Sequence, residues 1–552
     1  MSVADLRDTG DSISLDVLRH RLEGIAGEMQ ATLLKSAFSA IVKEGMDASA
    51  CLLTTAGEML AQSEAIPLHL GALVPAVAGI LAEYPAREMQ PGDLYLANDP
   101  YAGGTHLPDF TLLAPAIVDG EVIALAAAMM HHQDVGGMRA GSVPPDATEI
   151  FQEGLRLPPV QLARGGVYDD GLYRVLLANT RTPDAMRGDL AAQHAAVVAA
   201  AARVVELVPA EGPALLWRQF GQLLDRTERM VRASIARVPD GHYAATDSLD
   251  DDGVKVGEPV PVAVGITVCG DTLNVDFSGS AAQVSGAVNS VASGALAATY
   301  FVVLGLTPST VAANGGVMRP VTLTLPHGSV VNASVPAAVN GRMATVKICT
   351  AVLLDAMANA FPDRLPAANA GMSAVLVFGG RWPDGRVFVS SEIVAGGSGA
   401  RPDADGVDGI STDIGNAMNM PAEALEFAAP MRLVSSHVRA DSGGQGRFRG
   451  GLGVRRAYMA LADDISVTHR SGRFSSAPAG LAGGEAGAIS AAEIWRKDGT
   501  KERLSSKFAA LLQAGDQLIV DTCGGSGHGL PEARATLARA RDLRDGKVTV
   551  RE

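Results

Sequence analysis

At 552 residues, 47% of them hydrophobic and 19% charged, the chain can bury a large core and is neither a disordered nor a fibrous sequence. Its net charge of -15 repels phosphate backbones and argues against a nucleic-acid partner. The four cysteines, Cys51, Cys269, Cys349 and Cys523, form no C-x-x-C pair, which argues against both a thiolate zinc site and a disulfide scaffold.

The first twelve residues read as a polar arm. Leu15, Leu18, Leu22, Ile25, Met29 and Leu33 then recur at helical spacing, with Ser14 as a candidate N-cap, and predict a helix to about Ser36. The stretch from Cys51 to Leu60 predicts two short strands around a turn at Ala56 and Gly57, and Leu68 to Tyr84 a helix. Leu94 to Ala97 and Phe110 to Ala116 read as buried strands, and a turn at Asp119 and Gly120 leads into another. Two long helices are expected over Pro183 to Val208 and Pro213 to Val238. The second carries Leu216, Phe220, Leu223, Thr227, Val231 and Ile235 on one stripe.

From Tyr243 onward strands dominate. Val260 to Val268 and Leu273 to Phe277 form a hairpin, and so do Val375 to Phe378 and Val387 to Ser390. One helix, Thr345 to Phe361, interrupts them and is stopped by Pro362. The expected class is mixed α/β (α+β): a helix-rich N-terminal half carrying a site on sheet-supported loops, then a strand-rich half. The expected division is an arm over 1–12, a helix/sheet region over 13–245, a strand-rich region over 246–535 completing one catalytic unit, and a tail over 536–552. The segment Met1 to Asp16 has no apolar signal core, and runs such as Val122 to Met130 are too short to span a bilayer. A cytoplasmic protein is therefore expected.

Chemistry concentrates between Asn98 and Asp134. Of 11 histidines in the chain, His106, His131 and His132 fall here, beside Asp99, Asp109 and Asp134. In T-H-L-P-D, Pro108 disfavours a helix, so a bent loop turns His106 and Asp109 together. His131 follows an apolar strand, Ala124 to Met130. Two imidazoles and a carboxylate suit a divalent metal, zinc first and manganese or iron as alternatives, with a fourth oxygen from Asp47 or Asp99. Neighbours in a strand face opposite ways, so only one of His131 and His132 should point at the metal. Asp134 reads as a turn residue. The glycine-rich run Ser442 to Gly453 fits neither phosphate-binding pattern, although Arg447 and Arg449 offer an anion contact. No G-x-S-x-G elbow surrounds Ser398 or Ser526.

These strings resemble the hydantoinase B/5-oxoprolinase B-subunit family, related to N-methylhydantoinase B, caprolactamase and acetone/acetophenone carboxylase subunits. The resemblance rests on K-E-G-M-D-A-S, A-I-P-L-H-L-G-A, P-G-D-L-Y-L-A-N-D-P-Y-A-G-G-T-H-L-P-D, H-H-Q-D-V-G-G, T-E-I-F-Q-E-G-L-R-L-P-P-V, V-D-F-S-G-S, P-A-A-V-N-G-R and D-S-G-G-Q-G-R-F-R-G-G-L-G, in order from about residue 13 to 530. It implies the B subunit of an ATP-dependent cyclic amide hydrolase that opens a hydantoin or lactam ring. The implied partner is an ATP-binding A subunit that phosphorylates the substrate oxygen, in a hetero-oligomer. The absence of a Walker loop here agrees with that division. The implied metal ligands are His106, Asp109 and His131 with Asp47, Asp99 being the rival. Asp99 and His132 are the expected proton-moving or orienting groups. Two alternatives are a subunit of an ATP-dependent ketone carboxylase and a non-catalytic scaffold for an ATPase partner. The chain departs from the family around Leu53 to Thr55, at C-G-G-S-G-H-G near the C-terminus, and over Ile410 to Met420.

Overall fold

A computed structural model describes residues 3–549 except 211, 362 and 363. The first helix, α1, spans Val3–Ser36. Its predicted apolar stripe is buried throughout, from Leu15 to Leu33. The helix begins well before Ser14, which is therefore an interior residue and not the N-cap expected from sequence. The residues before Ser14 are mostly polar and carry no apolar period, so no periodicity marks them.

The N-terminal region is built on strands β1 (Ala48–Leu53) and β2 (Met59–Gln62), helix α2 (Pro67–Glu83), and strands β3 (Leu94–Ala97), β4 (Asp109–Val118), β5 (Glu121–His131), β6 (Val160–Arg164) and β7 (Val167–Tyr168). They form one antiparallel sheet in the order β2-β1-β5-β4-β3-β6-β7. Turns sit where the sequence placed them, with Gly57 at φ 84° and Asp119 and Gly120 at φ 50° and 83°. Helices α3 (Pro183–Val205) and α4 (Pro213–Ile235) follow.

The sheet is covered on both faces, which explains the nearly unbroken apolar run of β5. Leu52, Leu112, Ala126 and Ala128 pack toward the core shared with α1 and α3. Leu53, Leu113, Ala127 and Met129 pack toward α2 and the rest of the molecule. The stripe predicted for α4, Leu216 to Ile235, is buried as expected.

A second sheet contains β8 (Gly241–Leu249), β9 (Val260–Cys269) and β10 (Thr272–Asp276), with β11 (Val321–Thr324) added parallel to β10. Between β10 and β11 runs α5 (Ala292–Gly305), a helix the sequence reading missed. It is apolar nearly all round and buried on several sides, so it shows no amphipathic stripe. Helix α6 (Met343–Ala358) packs on β8 and β9. Its expected stop at Pro362 lies outside the described residues.

The last region is a two-sheet sandwich. One sheet has the order β13-β12-β16-β19, from β12 (Ala374–Arg381), β13 (Val387–Val394), β16 (Ile465–Arg470) and β19 (Lys507–Leu512). The other runs β14-β15-β20-β17-β18, from β14 (Met431–Val438), β15 (Val454–Ala460), β17 (Ala491–Trp495), β18 (Lys501–Arg503) and β20 (Gln517–Asp521). Leu376, Phe378, Tyr458, Val467, Ile494 and Val520 fill the space between them. The fold is mixed α/β, with helices concentrated in the first half and strands in the second. None of the described helices is long and apolar enough to cross a membrane.

The glycine-rich run over Ser442 to Gly453 is close backbone packing. A Cβ on Gly443 would meet the Gly450 carbonyl oxygen at 2.1 Å. Arg449 is spent on Asp408 and Asp542, 3.4 and 3.6 Å away, and Arg447 lies over Phe448. The anion contact offered by their sequence is therefore used internally at Arg449.

A candidate metal centre where three strand ends meet

Antiparallel register assembles the site. Asp109 opens β4 and lies directly across from His131, the last residue of β5. Ala48 opens β1 opposite Met130, which brings Asp47 alongside. The His131 N–H donates to the Asp47 carbonyl at 3.1 Å and closes that corner. His106 lies on the bend before β4, where the Asp109 N–H donates to the His106 carbonyl at 3.0 Å. Asp109 and His131 are therefore strand-end residues, more rigidly held than the loop positions expected from sequence.

The loop before the site is pinned by its own polar groups. The Asn98 side chain donates to the Leu107 and Leu155 carbonyls and accepts from the Leu157 N–H. Gly103, at φ 102°, lies so close to α2 that a Cβ would meet the Pro75 carbonyl oxygen at 2.1 Å.

Three donor atoms converge. His106 Nε2 is 2.9 Å from Asp109 Oδ1 and 3.2 Å from His131 Nδ1, and His131 Nδ1 is 3.1 Å from Asp109 Oδ1. Ligands on one tetrahedral cation with bonds of ~2.0–2.2 Å stand about 3.3–3.6 Å apart, so a shared metal would need the three atoms to spread by a few tenths of an ångström. All ligand atoms of this trio lie within 4.8 Å of one another. The ring of His106 is buried with no protein partner on Nδ1 among the described residues. The donor set thus suits a divalent cation.

Asp47 stands at the rim, with Oδ2 3.8 Å from His131 Nδ1 and Oδ1 3.5 Å from His69 Nε2. Asp99 lies elsewhere. Its Oδ1 accepts from the Tyr101 N–H at 3.0 Å and its Oδ2 lies 3.5 Å from Arg156, so it caps a turn. His132 faces the opposite side of the sheet from His131, as strand alternation requires. It meets Gln193 at 3.0 Å and packs on Phe110, away from the pocket that His131 lines. The structure therefore separates Asp99 and His132 from the cluster: one is engaged in a turn, the other in the core. Asp134 is the turn residue expected, accepting from the Gly136 and Gly141 N–H groups and pairing with Arg181.

Two residues escaped the sequence reading. His69, near the start of α2, places Nε2 3.5 Å from Asp109 Oδ2. Arg342, just before α6, donates to the same oxygen at 2.6 Å from a buried position, and Thr105 donates to it as well. Both lie inside strings that carried the resemblance, A-I-P-L-H-L-G-A and P-A-A-V-N-G-R. That was the available signal, since neither is near His106 in sequence.

Charge at the centre is strongly organised. Burial opposes ionisation of Asp109, but Arg342 and His69, with the hydrogen bond to His106, outweigh it and hold the carboxyl well below its ordinary range. Burial, helped by Arg342, pushes His106 well below the usual imidazole value, so its ring is neutral and able to bind a metal. For His69, burial works against the charged form, yet Asp109 and Asp47 raise it above the ordinary value.

The cluster lines a pocket. Its walls are largely aliphatic, including Ile41, Ile66, Val143, Met343, Met372 and Val375. Asn340, Arg342, Lys347 and Arg470 add polar groups. An apolar pocket with a few converging polar groups is the usual form of a small-molecule site.

Comparison with known proteins agrees with this architecture. Residues 11–531 match the family described as hydantoinase B/oxoprolinase. The chain is 30% identical to caprolactamase subunit beta of Pseudomonas jessenii, over 98% of this chain and 95% of that one. It is 29% identical to 5-oxoprolinase of Dictyostelium discoideum, over 95% of this chain but only 41% of that longer protein. The crystal structure of the ATP-dependent caprolactamase from Pseudomonas jessenii superposes with a TM-score of 0.90 at 28% identity, covering 98% of this chain and 94% of that one.

Proposed function

Since the chain belongs to the hydantoinase B/oxoprolinase family, we propose that it is the ring-opening subunit of an ATP-dependent cyclic amide hydrolase, acting on a hydantoin or lactam. The observation that carries the reading is the convergence of His106, Asp109 and His131 in the lining of an apolar pocket. Asp47 is the fourth ligand in this reading, supported by its place beside His131 and by the engagement of Asp99 elsewhere.

A divalent cation held by these residues, zinc foremost, would acidify a water near neutral pH and polarise a carbonyl or phosphoryl oxygen. The protein's own groups prepare the site for that chemistry. Neutral His106 presents a lone pair without first losing a proton. Arg342 and His69 keep Asp109 ionised and fix its orientation from the side away from His106 and His131. The aliphatic walls exclude bulk water from a ring bound against the cluster, which strengthens every charge interaction there. The partner in this reading is an ATP-binding A subunit that phosphorylates the amide oxygen. The names of the relatives, one a beta subunit and one ATP-dependent, support a hetero-oligomer.

The test is to purify the chain with its ATP-binding partner and follow ring opening of 5-oxoproline, caprolactam and hydantoin. Turnover should need ATP and both subunits, and His106→Ala should abolish it together with the bound metal. ATP-independent turnover by this chain alone, or full activity in His106→Ala, refutes the reading.

A further inference from the structure

Three cations outside the histidines line the pocket, and their pairing differs. Arg342 is held by Asp109 at 2.6 Å. Lys347 donates to the Thr412 carbonyl and lies 3.9 Å from Asp413. Arg470 has no carboxylate within salt-bridge distance among the described residues, although only 6% of its surface is exposed. Glu153 attracts it only across Asn340, so no direct ion pair repays the desolvation of this guanidinium.

Arg470 is nevertheless firmly placed. It ends β16, in register with Val375 of β12 on one side and Lys507 of β19 on the other. Its Nη1 donates to both the backbone and the side-chain oxygen of Asn340 at 2.5 Å. Asn340 is itself clamped by Glu153, whose Oε1 accepts from the Asn340 N–H and Nδ2 at 2.9 and 2.6 Å. Those bonds use one nitrogen of the guanidinium fork. Nε and Nη2 have no hydrogen-bond partner among the described protein groups. The residue lines the same pocket as the cluster. Arg342 repels it and Glu153 attracts it, and since Arg342 is already paired with Asp109, the unshared N–H groups of Arg470 are what an incoming negative charge meets.

We propose that Arg470 is an anion-binding residue of this pocket, receiving the oxygens of a phosphoryl or carboxylate group on the molecule that reaches the metal cluster. A planar fork with two free N–H faces matches such oxygens better than a single ammonium would. The inference rests on the proposed function only in taking the cluster as the reacting end. It adds that the substrate meets the pocket as an anion, either as a phosphorylated amide or as a lactam bearing a carboxylate.

Inorganic phosphate, 5-oxoproline and its uncharged counterpart 2-pyrrolidinone are titrated calorimetrically into the metal-loaded chain, with metal content measured for every variant. Arg470→Gln should bind at least one of the two anions about tenfold or more weakly at unchanged metal content, and Arg470→Lys should lose less. Loss of phosphate alone identifies a phosphoryl group as the occupant. Loss of 5-oxoproline with 2-pyrrolidinone unaffected identifies a carboxylate.

The proposal is overturned if Arg470→Gln binds both anions within about twofold of the unchanged chain. It is equally overturned if the unchanged chain binds neither anion at millimolar concentration, a result that needs no variant to fold. Where 5-oxoproline binding is also unchanged in Arg470→Gln, phosphate binding that disappears in His106→Ala but persists in Arg470→Gln assigns the anion to the metal and overturns the proposal. Failure of ATP-dependent ring opening by the complex bears on the proposed function and leaves these binding results intact.

Discussion

Asp109→Asn tests the centre most directly, because the substitution keeps size and removes charge. The carboxylate is fully buried and serves both sides at once: Oδ1 toward His106 and His131 at 2.9 and 3.1 Å, Oδ2 toward Arg342 at 2.6 Å. An amide offers one oxygen and one donor. Whichever way it turns, an N–H group faces either the converging imidazoles or the guanidinium. Arg342 then remains buried without its ion partner, which costs about 3–5 kcal/mol. With an unfolding entropy of ~2.1 cal/mol/K per residue, a cooperative unit of 552 residues loses about 3–4 °C of Tm for that cost. Smaller cooperative units shift further, so this is a lower bound. The assay is thermal unfolding of chelator-treated protein, which removes any metal contribution, alongside elemental analysis of untreated protein. The double variant Asp109→Asn/Arg342→Met should recover part of the loss, since it leaves no orphaned charge. Wild-type Tm and about one metal per chain in Asp109→Asn would refute the argument, as would a double variant whose losses simply add.

Two further outcomes are expected. Asp47→Asn should weaken metal retention on dialysis against a chelator, by about tenfold or more, whereas Asp99→Asn should retain metal and lose only a turn contact worth about 1 kcal/mol. Equal metal loss in both variants would contradict the placement of Asp47. Glu392 is buried against Arg456 at 2.8 Å, and burial pushes its carboxyl up from 4.5 to about 7. The native state therefore holds a proton that the unfolded chain releases. The favourable contribution of the protonated form is complete below about pH 4.5 and is lost as pH rises through about 7, a change of roughly 3 kcal/mol. Glu392→Gln should gain that much relative to the unchanged chain between pH 4.5 and 8 in denaturant titrations, and a pH-independent difference would count against it.

The amphipathic elements were readable because each has one buried face. The stripes Leu15 to Leu33 and Leu216 to Ile235 are both in the core, and the turns at Gly57 and Asp119–Gly120 fall where the residues allow positive φ. Alternation along β5 also sets His131 and His132 on opposite faces. Periodicity carries no such information where an element is buried on all sides, and α5 was missed for that reason. The start of α1 is polar in sequence and carries no apolar period to mark it.

For the site, local sequence determined that His106 and Asp109 share a bend and that His131 ends a strand. Family motifs pointed to Asp47 as the expected fourth ligand, with Asp99 as its rival. Only tertiary structure decided the rest. Antiparallel register set Asp109 against His131 and drew Asp47 alongside, while leaving Asp99 in a turn. Helix packing delivered His69 and Arg342 to the same carboxylate, and a strand of the C-terminal sandwich brought Arg470 to the pocket from more than three hundred residues beyond His106. Contacts of that kind depend on how sheets and helices stack, and a linear pattern records which face an element buries but not what it is buried against.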